Sequence, residues 1–409
     1  MNILLLTFDY SPYSGGESKI GFQWATELSA RGHNVTVITN LNNKKDIDLY
    51  NYDNKQFNIT YEYVESPKIL GISIFKKIYH PVVIESQLYQ KEVAKRLEYL
   101  LTANQYDLIH QLSPTDIRVI GYGMNFGLPF FIGPLGGGQF VPNGLKYYIR
   151  KNKNVEYLRK MMTYLITRAP NYRSRIRKIS KLIIVNPETE KYMNKAFKNI
   201  SYEMMSDIGT VDNLKVQVNN NETESPIKFL WVGRLSYRKG LELLIDSLPF
   251  VKDKKNFHLT IIGEDVENLR SVYEDKIQEL NCSHLVSFLG KMSYQEVQKK
   301  YIENDVFVFT SLRETGGNVL YEAAQYGLPI IMPNQNMAYL LKKYAVTYEV
   351  TNRQLAIEQL SKAINNFIDS NLLRSEYSGK SLEFARGNTF SKKVDRMLSI
   401  YEENIIKKK

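Results

Sequence analysis

The stretch from Phe307 to Pro333, FVFTSLRETGGNVLYEAAQYGLPIIMP, constrains the fold of this chain more than any other part of the sequence. It opens as an apolar strand, turns through two glycines, continues with helical spacing and stops at Gly327 before a second apolar strand. This succession predicts a strand–helix–strand unit of a parallel sheet. Glu314 and Glu322 bracket its turn, and carboxylates beside free helix N–H groups suit a ligand with hydroxyls and phosphates. A capping carboxylate and an ordinary surface glutamate explain the same pattern without a ligand.

The length of 409 residues is too great for one typical hydrophobic core and predicts two domains. From Pro226 onward, short apolar strands alternate with helical segments, which predicts a parallel sheet covered on both faces. We therefore predict an α/β protein whose first domain spans 1–205, whose second spans 206–390, and whose last helix lies in 391–409.

Three features of the sequence bear on the compartment. Cys282 is the single cysteine, which excludes an intramolecular disulfide framework and a cysteine-based zinc site. The N-terminus lacks the basic start of a signal peptide and is interpreted as a first strand. No apolar run is long enough for a transmembrane helix. These features predict a cytoplasmic protein.

Glycine loops follow two strands of the first half. Gly15 and Gly16 precede the helical stretch 17–30, where backbone N–H groups would suit a phosphate. A simple turn explains these glycines at least as well. The loop lacks the spacing of a dinucleotide fingerprint. Three glycines at 136–138 follow a buried-type strand and suggest close approach of backbone to a ligand, or a flexible loop. His110 ends another strand, a place where histidines are usually structural.

The segment 144–181 holds twelve Lys or Arg residues against one acidic residue, Glu156, interleaved with aromatic and aliphatic side chains. Together with a net charge of +11, this pattern indicates an interfacial helix on anionic lipid. Nucleic-acid binding and a solvated basic face are the alternatives. An apolar, lysine-bearing segment at 67–84 points the same way. By contrast, Asp46-Ile-Asp48 lies in a stretch interpreted as a solvated loop, so we predict no metal site there.

The cations with the clearest chemistry lie in GRLSYRKG, residues 233–240, directly after a predicted strand. Arginine and lysine on a strand-to-helix loop whose glycines let backbone approach can clamp a diphosphate. Ligands bind at the carboxyl ends of parallel strands, so this motif and the Glu314/Glu322 unit should converge.

These residues resemble the retaining glycosyltransferases of family 4 (group 1). The resemblance rests on the 233–240 motif, the E-x7-E spacing of Glu314 and Glu322, and the following G-x-P at 327–329. It extends over essentially the whole chain. The resemblance implies the GT-B fold, in which two Rossmann-like domains face each other across a cleft and the C-terminal helix returns to the first domain.

The resemblance also implies a role for each motif residue. Arg234 and Lys239 would neutralise the diphosphate of the donor, Glu314 would hold hydroxyls of the donor sugar, and Glu322 would hold the ribose diol. Further donor-binding residues would be Gly15, Gly16, Gly233, Gly317, Asn318 and Val319. Many members carry a histidine in the loop that here contains the three glycines, and this chain has none there. Possible acceptor or sugar contacts are therefore His110, Gly136, Gly137 and Gly138.

The implied reaction is transfer of a sugar from a nucleotide diphosphosugar, with retention, without a metal and without a cofactor. The basic segments favour a lipid-linked or membrane-proximal glycan acceptor in cell-surface polysaccharide synthesis, with the enzyme on the inner face of the membrane. Alternatives are a soluble or protein acceptor, a phosphorylase-like or epimerase-like GT-B enzyme, and a basic nucleic-acid-binding protein. The last lacks any recognised nucleic-acid fold signature.

Overall fold

The computed structural model describes residues 1–13, 16–53, 57–67, 82–197, 200–212 and 226–406. The chain forms two compact units. The first unit comprises Met1–Gly138, Tyr157–Ile208 and Phe390–Lys409, and the second comprises Gln139–Glu156 and Gly209–Thr389. Residues 139–156 therefore group with the second unit, whereas the sequence analysis placed them in the first domain.

The first unit is built on a parallel sheet that has seven strands in the described residues, in the order β3-β2-β1-β4-β5-β6-β7. These strands are β1 (Asn2–Leu6), β2 (Asn34–Asn40), β3 (Ile59–Val64), β4 (Leu108–Gln111), β5 (Phe130–Leu135), β6 (Lys181–Ile184) and β7 (Tyr202–Met204). The central strands are buried along almost their whole length, as expected for a parallel sheet covered on both faces.

In the part of the chain that the structure describes, the second unit has a parallel sheet of six strands in the order β10-β9-β8-β11-β12-β13. Its strands are β8 (Ile227–Val232), β9 (Phe257–Ile262), β10 (Val286–Gly290), β11 (Val306–Val308), β12 (Ile330–Pro333) and β13 (Val346–Tyr348). The predicted strands of this half are all present. β13 was not predicted, because its sequence VTY contains no continuous apolar run of the kind that marks β11.

The helices cover both sheets. In chain order they are α1 (Glu17–Ala30), α2 (Lys44–Asp53), α3 (Val82–Ala103), α4 (Lys153–Arg168), α5 (Pro170–Ile176), α6 (Pro187–Ala196), α7 (Leu241–Ser247), α8 (Arg270–Glu279), α9 (Tyr294–Glu303), α10 (Asn318–Gln325), α11 (Ala338–Leu341), α12 (Arg353–Asp369), α13 (Asn371–Gly387) and α14 (Phe390–Ile406). None of the helices in the described residues combines the length and apolar character needed to cross a bilayer.

The C-terminal helix α14 packs on the first unit, as predicted. Trp24 meets Phe390 with ring centroids 5.5 Å apart, and the Arg31 guanidinium pairs with Asp395 at 2.7 Å. The chain thus returns to its first sheet after completing the second.

The solvated loop expected around Asp46 and Asp48 is instead helix α2. Its pattern was missed because the stretch is mostly polar, and of its two aliphatic residues Ile47 is buried but Leu49 is exposed. The Ser11 hydroxyl donates to Asp46 at 2.5 Å, and Lys44 pairs with Asp48 at 2.7 Å. Residues two apart on a helix do not face each other. Across the described ranges, no group of three or more His, Cys, Asp or Glu side chains is placed to hold a metal ion.

The single interfacial helix expected over 144–181 is wrong in its first part. Residues Asn143–Asn152 form a tight 3-10 segment with a kink at Ile149, and Leu145 and Tyr148 lie in the core of the second unit. An amphipathic pattern does not distinguish a lipid surface from a protein core. Most of the apolar-basic segment 67–84 lies outside the described residues.

Two buried carboxylates of the second unit, Asp246 and Glu242, bind side chains of the segment Asn143–Asn152. The Tyr148 hydroxyl donates to Asp246 at 2.8 Å, and the Arg353 guanidinium reaches the same carboxylate at 2.7 Å. Arg150 pairs with Glu242 at 2.9 Å, and Lys276 bridges Glu242 and Asp246.

Candidate active site

The two sequence motifs of the second unit follow neighbouring strands. β8 pairs with β11 in parallel, so the loops after both strands leave the same edge of the sheet, as predicted. Backbone contacts join these loops. The Leu312 N–H donates to the Arg238 carbonyl at 2.9 Å, and the Thr310 hydroxyl donates to the Lys239 carbonyl at 2.9 Å.

Gly240 fixes where the lysine of the motif points. It has φ +65°, and a β-carbon there would lie 2.3 Å from the Thr310 carbonyl oxygen, so a larger residue would separate the loops. The tight turn Tyr237–Lys239 ends at this glycine and α7 begins after it.

Lys239 and Glu314 form an ion pair between the two loops, with 15% and 13% of their side chains exposed. The Arg238 guanidinium lies 3.5 Å from the same Glu314 oxygen and also donates to the Arg313 carbonyl at 2.9 Å. The Ser311 hydroxyl donates to Glu314 at 3.2 Å. Arg238 belongs to the predicted motif but was not assigned a site role, and its place beside Glu314 was missed.

The charges in this cluster do not balance. Burial alone would raise the pKa of Glu314, but Lys239 and Arg238 outweigh it and hold this pKa well below its ordinary value. Burial lowers the pKa of Lys239, and the attraction of Glu314 does not offset burial together with the repulsion from Arg238 and Arg234. Three cations therefore face one carboxylate, which leaves a site that favours an anion.

Arg234 is the least constrained of these cations. Its side chain is exposed, and within the part of the chain that the structure describes its guanidinium has no hydrogen-bond or ion-pair partner. Gly233, just before it, is half-buried and donates its N–H to the Ile262 carbonyl at 2.9 Å. An unpaired guanidinium beside an anion-favouring cluster can recruit a phosphate without breaking an existing contact.

The start of helix α10 lies beside Glu314. Gly317 caps it in a left-handed conformation, φ +69°, and a β-carbon there would lie 3.7 Å from the Glu314 side chain. Among the described residues no side chain caps this end. The N–H groups of Asn318 and Val319 therefore lack partners within the helix and add partial positive charge.

Glu322 lies further along the same helix and is half-buried. Its Oε2 accepts a hydrogen bond of 2.9 Å from the hydroxyl of Tyr301 on α9. The structure thus brings Lys239 and Glu314 together and gives Glu322 a partner from another helix. Tyr301 was not singled out from the sequence, because no local pattern links it to a glutamate on the next helix.

The first-unit candidates are placed differently. His110 is fully buried, with Nδ1 2.5 Å from the Tyr401 hydroxyl and Nε2 2.7 Å from the Gly133 carbonyl oxygen. Burial lowers the pKa of His110 to about 4, so the ring is neutral. Neither nitrogen is free to contact a sugar. The histidine instead joins β4, β5 and α14.

Gly136, Gly137 and Gly138 are buried and held by the protein. The Gly136 N–H donates to the Thr115 carbonyl at 2.9 Å, and Arg159 donates to the Gly137 carbonyl at 2.8 Å. Of the two alternatives for these glycines, the flexible loop does not hold, because the loop is packed. Gly16 is exposed and begins α1 without a side-chain cap, while Gly15 lies outside the described residues.

Two further contacts of the Glu314 loop were missed. The Arg313 guanidinium pairs with Glu156 at 2.9 Å, and the Gln139 amide donates to the Thr315 hydroxyl at 2.7 Å. Both partners lie in 139–156, the segment that the sequence analysis assigned to the other domain. No local sequence signal reports such a long-range pairing.

Comparisons with known proteins point to a family for this arrangement. Residues 212–382 match the family described as glycosyl transferases group 1. An uncharacterised glycosyltransferase of Methanocaldococcus jannaschii is 24% identical over 345 residues, which are 81% of this chain and 80% of that protein. The sulfoquinovosyl transferase of Arabidopsis thaliana is 31% identical over 121 residues, 29% of this chain and only 21% of that protein.

Solved structures share the fold across both units. Sucrose-phosphate synthase from Thermosynechococcus elongatus superposes with a TM-score of 0.67 at 16% identity and covers 98% of both chains. WaaG, a glycosyltransferase involved in lipopolysaccharide biosynthesis, gives 0.61 at 15% identity, with 98% of this chain and 99% of that chain covered. These likenesses identify the GT-B fold. Over residues 212–382, the chain matches the group 1 glycosyltransferases.

Proposed function

We propose that this protein is a retaining family 4 glycosyltransferase that moves a sugar from a nucleotide diphosphosugar to an acceptor. One observation carries the proposal. The buried Lys239–Glu314 pair lies in an excess of positive charge, next to the uncapped start of α10. A diphosphate supplies the missing negative charge, and the sugar attached to it supplies hydroxyls for the carboxylate.

Each group has a task in this proposal. Arg234, Lys239 and the N–H groups of Asn318 and Val319 bind the diphosphate, with the Gly233 backbone close by. Glu314, whose Oε2 is held by Lys239 and Ser311, accepts hydrogen bonds from hydroxyls of the donor sugar. Glu322 accepts hydrogen bonds from the ribose diol.

The reaction needs charge stabilisation at the leaving group. The bond from the anomeric carbon to the phosphate oxygen breaks, and the cations and amides stabilise the developing negative charge. The acceptor hydroxyl attacks from the same face and its proton passes to the departing phosphate. The products are a glycoside with retained configuration and a nucleoside diphosphate. No step calls for a metal or a cofactor.

Related structures suggest where to begin a donor screen. The structure of the Anabaena protein HepE was determined with UDP and with UDP-glucose, and this chain superposes on the UDP complex with a TM-score of 0.66 at 16% identity. Uridine diphosphate and its sugars are therefore the first ligands to test.

The test is a thermal-shift screen against nucleoside diphosphates and their sugars. A donor that binds the folded protein raises its melting temperature by mass action, and the matching nucleoside without phosphates should not. Lys239→Ala should remove the shift, whereas Lys255→Ala, which changes an exposed lysine just before β9, should retain it. If no nucleotide stabilised the wild-type protein, the proposal would fall.

We infer further that the acceptor is a lipid-linked or membrane-proximal glycan, and that the protein works at the inner face of a membrane. On α4 the side chains of Tyr157 and Leu165 are 71% and 54% exposed. Nearby, Arg173, Arg177 and Lys178 line a cavity of about 580 Å³ on α5 and the turn after it. Exposed apolar groups beside cations suit an anionic lipid surface.

Vesicle sedimentation tests this inference. The protein should sediment with vesicles containing anionic lipid and remain in solution with neutral ones. Tyr157→Ser with Leu165→Ser, or Arg173→Gln with Arg177→Gln, should each weaken sedimentation. Equal sedimentation with anionic and neutral vesicles would refute the membrane inference. Displacement of the protein from the vesicles by DNA of equal charge would point to nucleic acid instead.

A further inference from the structure

Tyr301 is held in place on every side. Its side chain is 1% exposed, and its ring stacks on Tyr326 with centroids 5.7 Å apart and planes 8° from parallel. Phe307 of the central strand β11 lies on another side, with centroids 5.8 Å apart. The helix that carries it begins with a capping box at Ser293. The direction of the Tyr301 hydroxyl is therefore fixed by packing.

That hydroxyl points at Glu322, which it meets at 2.9 Å. A glutamate on a helix surface has several rotatable bonds, so a ligand that binds a free carboxylate must first order it. Burial and the charge of Glu322 raise the pKa of Tyr301 well above its ordinary value, so the hydroxyl remains a donor. Each carboxylate oxygen has two acceptor positions, and Oε2 can accept from Tyr301 and from a ligand together.

We propose that Tyr301 is a positioning residue for nucleotide recognition, which holds Glu322 in the orientation that accepts the ribose hydroxyls. This inference rests on the proposed function, in which Glu322 binds the ribose diol. It follows that Tyr301 sets how strongly the site prefers a ribonucleotide over its deoxy analogue, although Tyr301 itself touches no ligand.

A purely structural role is the competing explanation. The Tyr301 hydroxyl would then satisfy the half-buried Glu322 carboxylate and affect stability alone. The two roles differ in one readout. The ratio of the affinities for a ribonucleoside diphosphate and its 2′-deoxy analogue depends on the orientation of Glu322. A loss of stability instead weakens the binding of both ligands by the same factor.

The experiment compares Tyr301→Phe with Tyr326→Phe, which removes a neighbouring hydroxyl from the same ring stack. Calorimetry with uridine diphosphate and its 2′-deoxy and 3′-deoxy analogues gives the affinity ratios. Hydrogen bonds to charged groups are stronger than those between neutral groups, so Tyr301→Phe should lower the affinity for uridine diphosphate about tenfold. The affinities for the deoxy analogues should stay nearly unchanged. Tyr326→Phe should keep the wild-type ratio of ribonucleotide to deoxynucleotide affinity.

A double-mutant cycle completes the test. Glu322→Gln should reduce the same ratio, and adding Tyr301→Phe to it should have no further effect on the ratio. If Tyr301→Phe alone left the ratio unchanged, the positioning role would be overturned while the proposed function stood. Absence of any nucleotide binding by the wild-type protein would instead overturn the proposed function.

Discussion

The Lys239 ammonium and the Glu314 carboxylate form an ion pair across the loops that follow two adjacent strands of the second unit. Each member is mostly shielded from solvent, and Arg238 lies 3.5 Å from the same carboxylate oxygen. Because the cations outnumber the carboxylate, the cluster keeps Glu314 ionised and carries net positive charge. A diphosphate would complete it.

Glu314→Gln should therefore abolish most transfer while preserving the fold. Glutamine keeps the shape and an acceptor for Ser311 but removes the charge that orients Lys239. We expect turnover to fall about 10²–10³-fold, the range seen when one transition-state contact is removed. The measurement is release of nucleoside diphosphate at saturating donor, with circular dichroism to check the fold.

Glu279→Gln provides the control, since Glu279 is an exposed glutamate on α8. It should keep wild-type turnover. Near-normal transfer by Glu314→Gln at saturating donor would show that the site has been assigned to the wrong carboxylate.

Arg234→Ala tests the unpaired cation. Because the side chain is exposed and makes no hydrogen bond or ion pair within the described residues, its removal should leave the melting temperature nearly unchanged. Affinity for a nucleoside diphosphate should fall about tenfold, as expected for a charge-assisted contact to phosphate. Affinity for the nucleoside alone should not change. Arg270→Ala, an exposed arginine paired with Glu274, is the control, and an equal effect from both would refute a specific role.

Glu17 in the first unit gives a pH prediction. Burial raises its pKa from 4.5 to about 7, against the hydrogen bond from the Thr115 N–H and with the added repulsion of Asp9, Asp207 and Asp116. A carboxyl group whose pKa is higher in the folded state binds more protons there than in the unfolded chain. It therefore costs stability progressively as the pH rises from 4.5 to 7, and the cost is constant above that.

Glu17→Gln removes this cost while keeping an oxygen for the Thr115 N–H. The variant should melt at nearly the same temperature as wild type at pH 4.5 and at a higher temperature at pH 8. At pH 8 its free energy of unfolding should be greater by on the order of 1–3 kcal/mol. Thermal unfolding at both pH values measures it, with the exposed Glu98→Gln as control. A gain that was the same at both pH values would contradict the titration of Glu17.

Asp246→Ala should be among the most destabilising single changes in the second unit. Its carboxylate accepts from Tyr148 and pairs with Lys276 and Arg353. Alanine removes this acceptor from all three groups, and Lys276 keeps its pair with Glu242. Breaking a buried ion pair from one side costs about 3–5 kcal/mol. Urea unfolding measures the loss, and Asp275→Ala, exposed on α8, should cost less than about 0.5 kcal/mol.

The strand pattern and the two motifs of the second unit were readable from sequence because both are local. Apolar strands alternate with helices, and the motifs follow the strands β8 and β11, so a parallel sheet brings them together. The ion pair of Lys239 with Glu314 follows from that adjacency, but the part played by Arg238 does not.

What the sequence did not reveal depends on contacts between distant residues. His110 was a possible sugar contact, yet Tyr401 and the Gly133 carbonyl occupy its ring. The basic, aromatic pattern around Tyr148 predicted a surface, whereas Asp246 makes it part of a core. In both cases the partner lies on an element far along the chain, where periodicity carries no information.

The Glu156–Arg313 pair links the segment 139–156 to the loop that carries Glu314. Arg313 has 17% of its side chain exposed and Glu156 has 16%, and the Arg313 carbonyl accepts from Arg238. Glu156→Gln should let Arg313 shift and thereby loosen the loop that carries Glu314. We expect KM for the donor to rise about tenfold with a smaller change in kcat, since ground-state positioning is lost first. Steady-state kinetics with varied donor measure the split, and Glu274→Gln, from an exposed pair, should change neither constant. A loss of thermal stability with donor KM unchanged would show that the pair is purely structural.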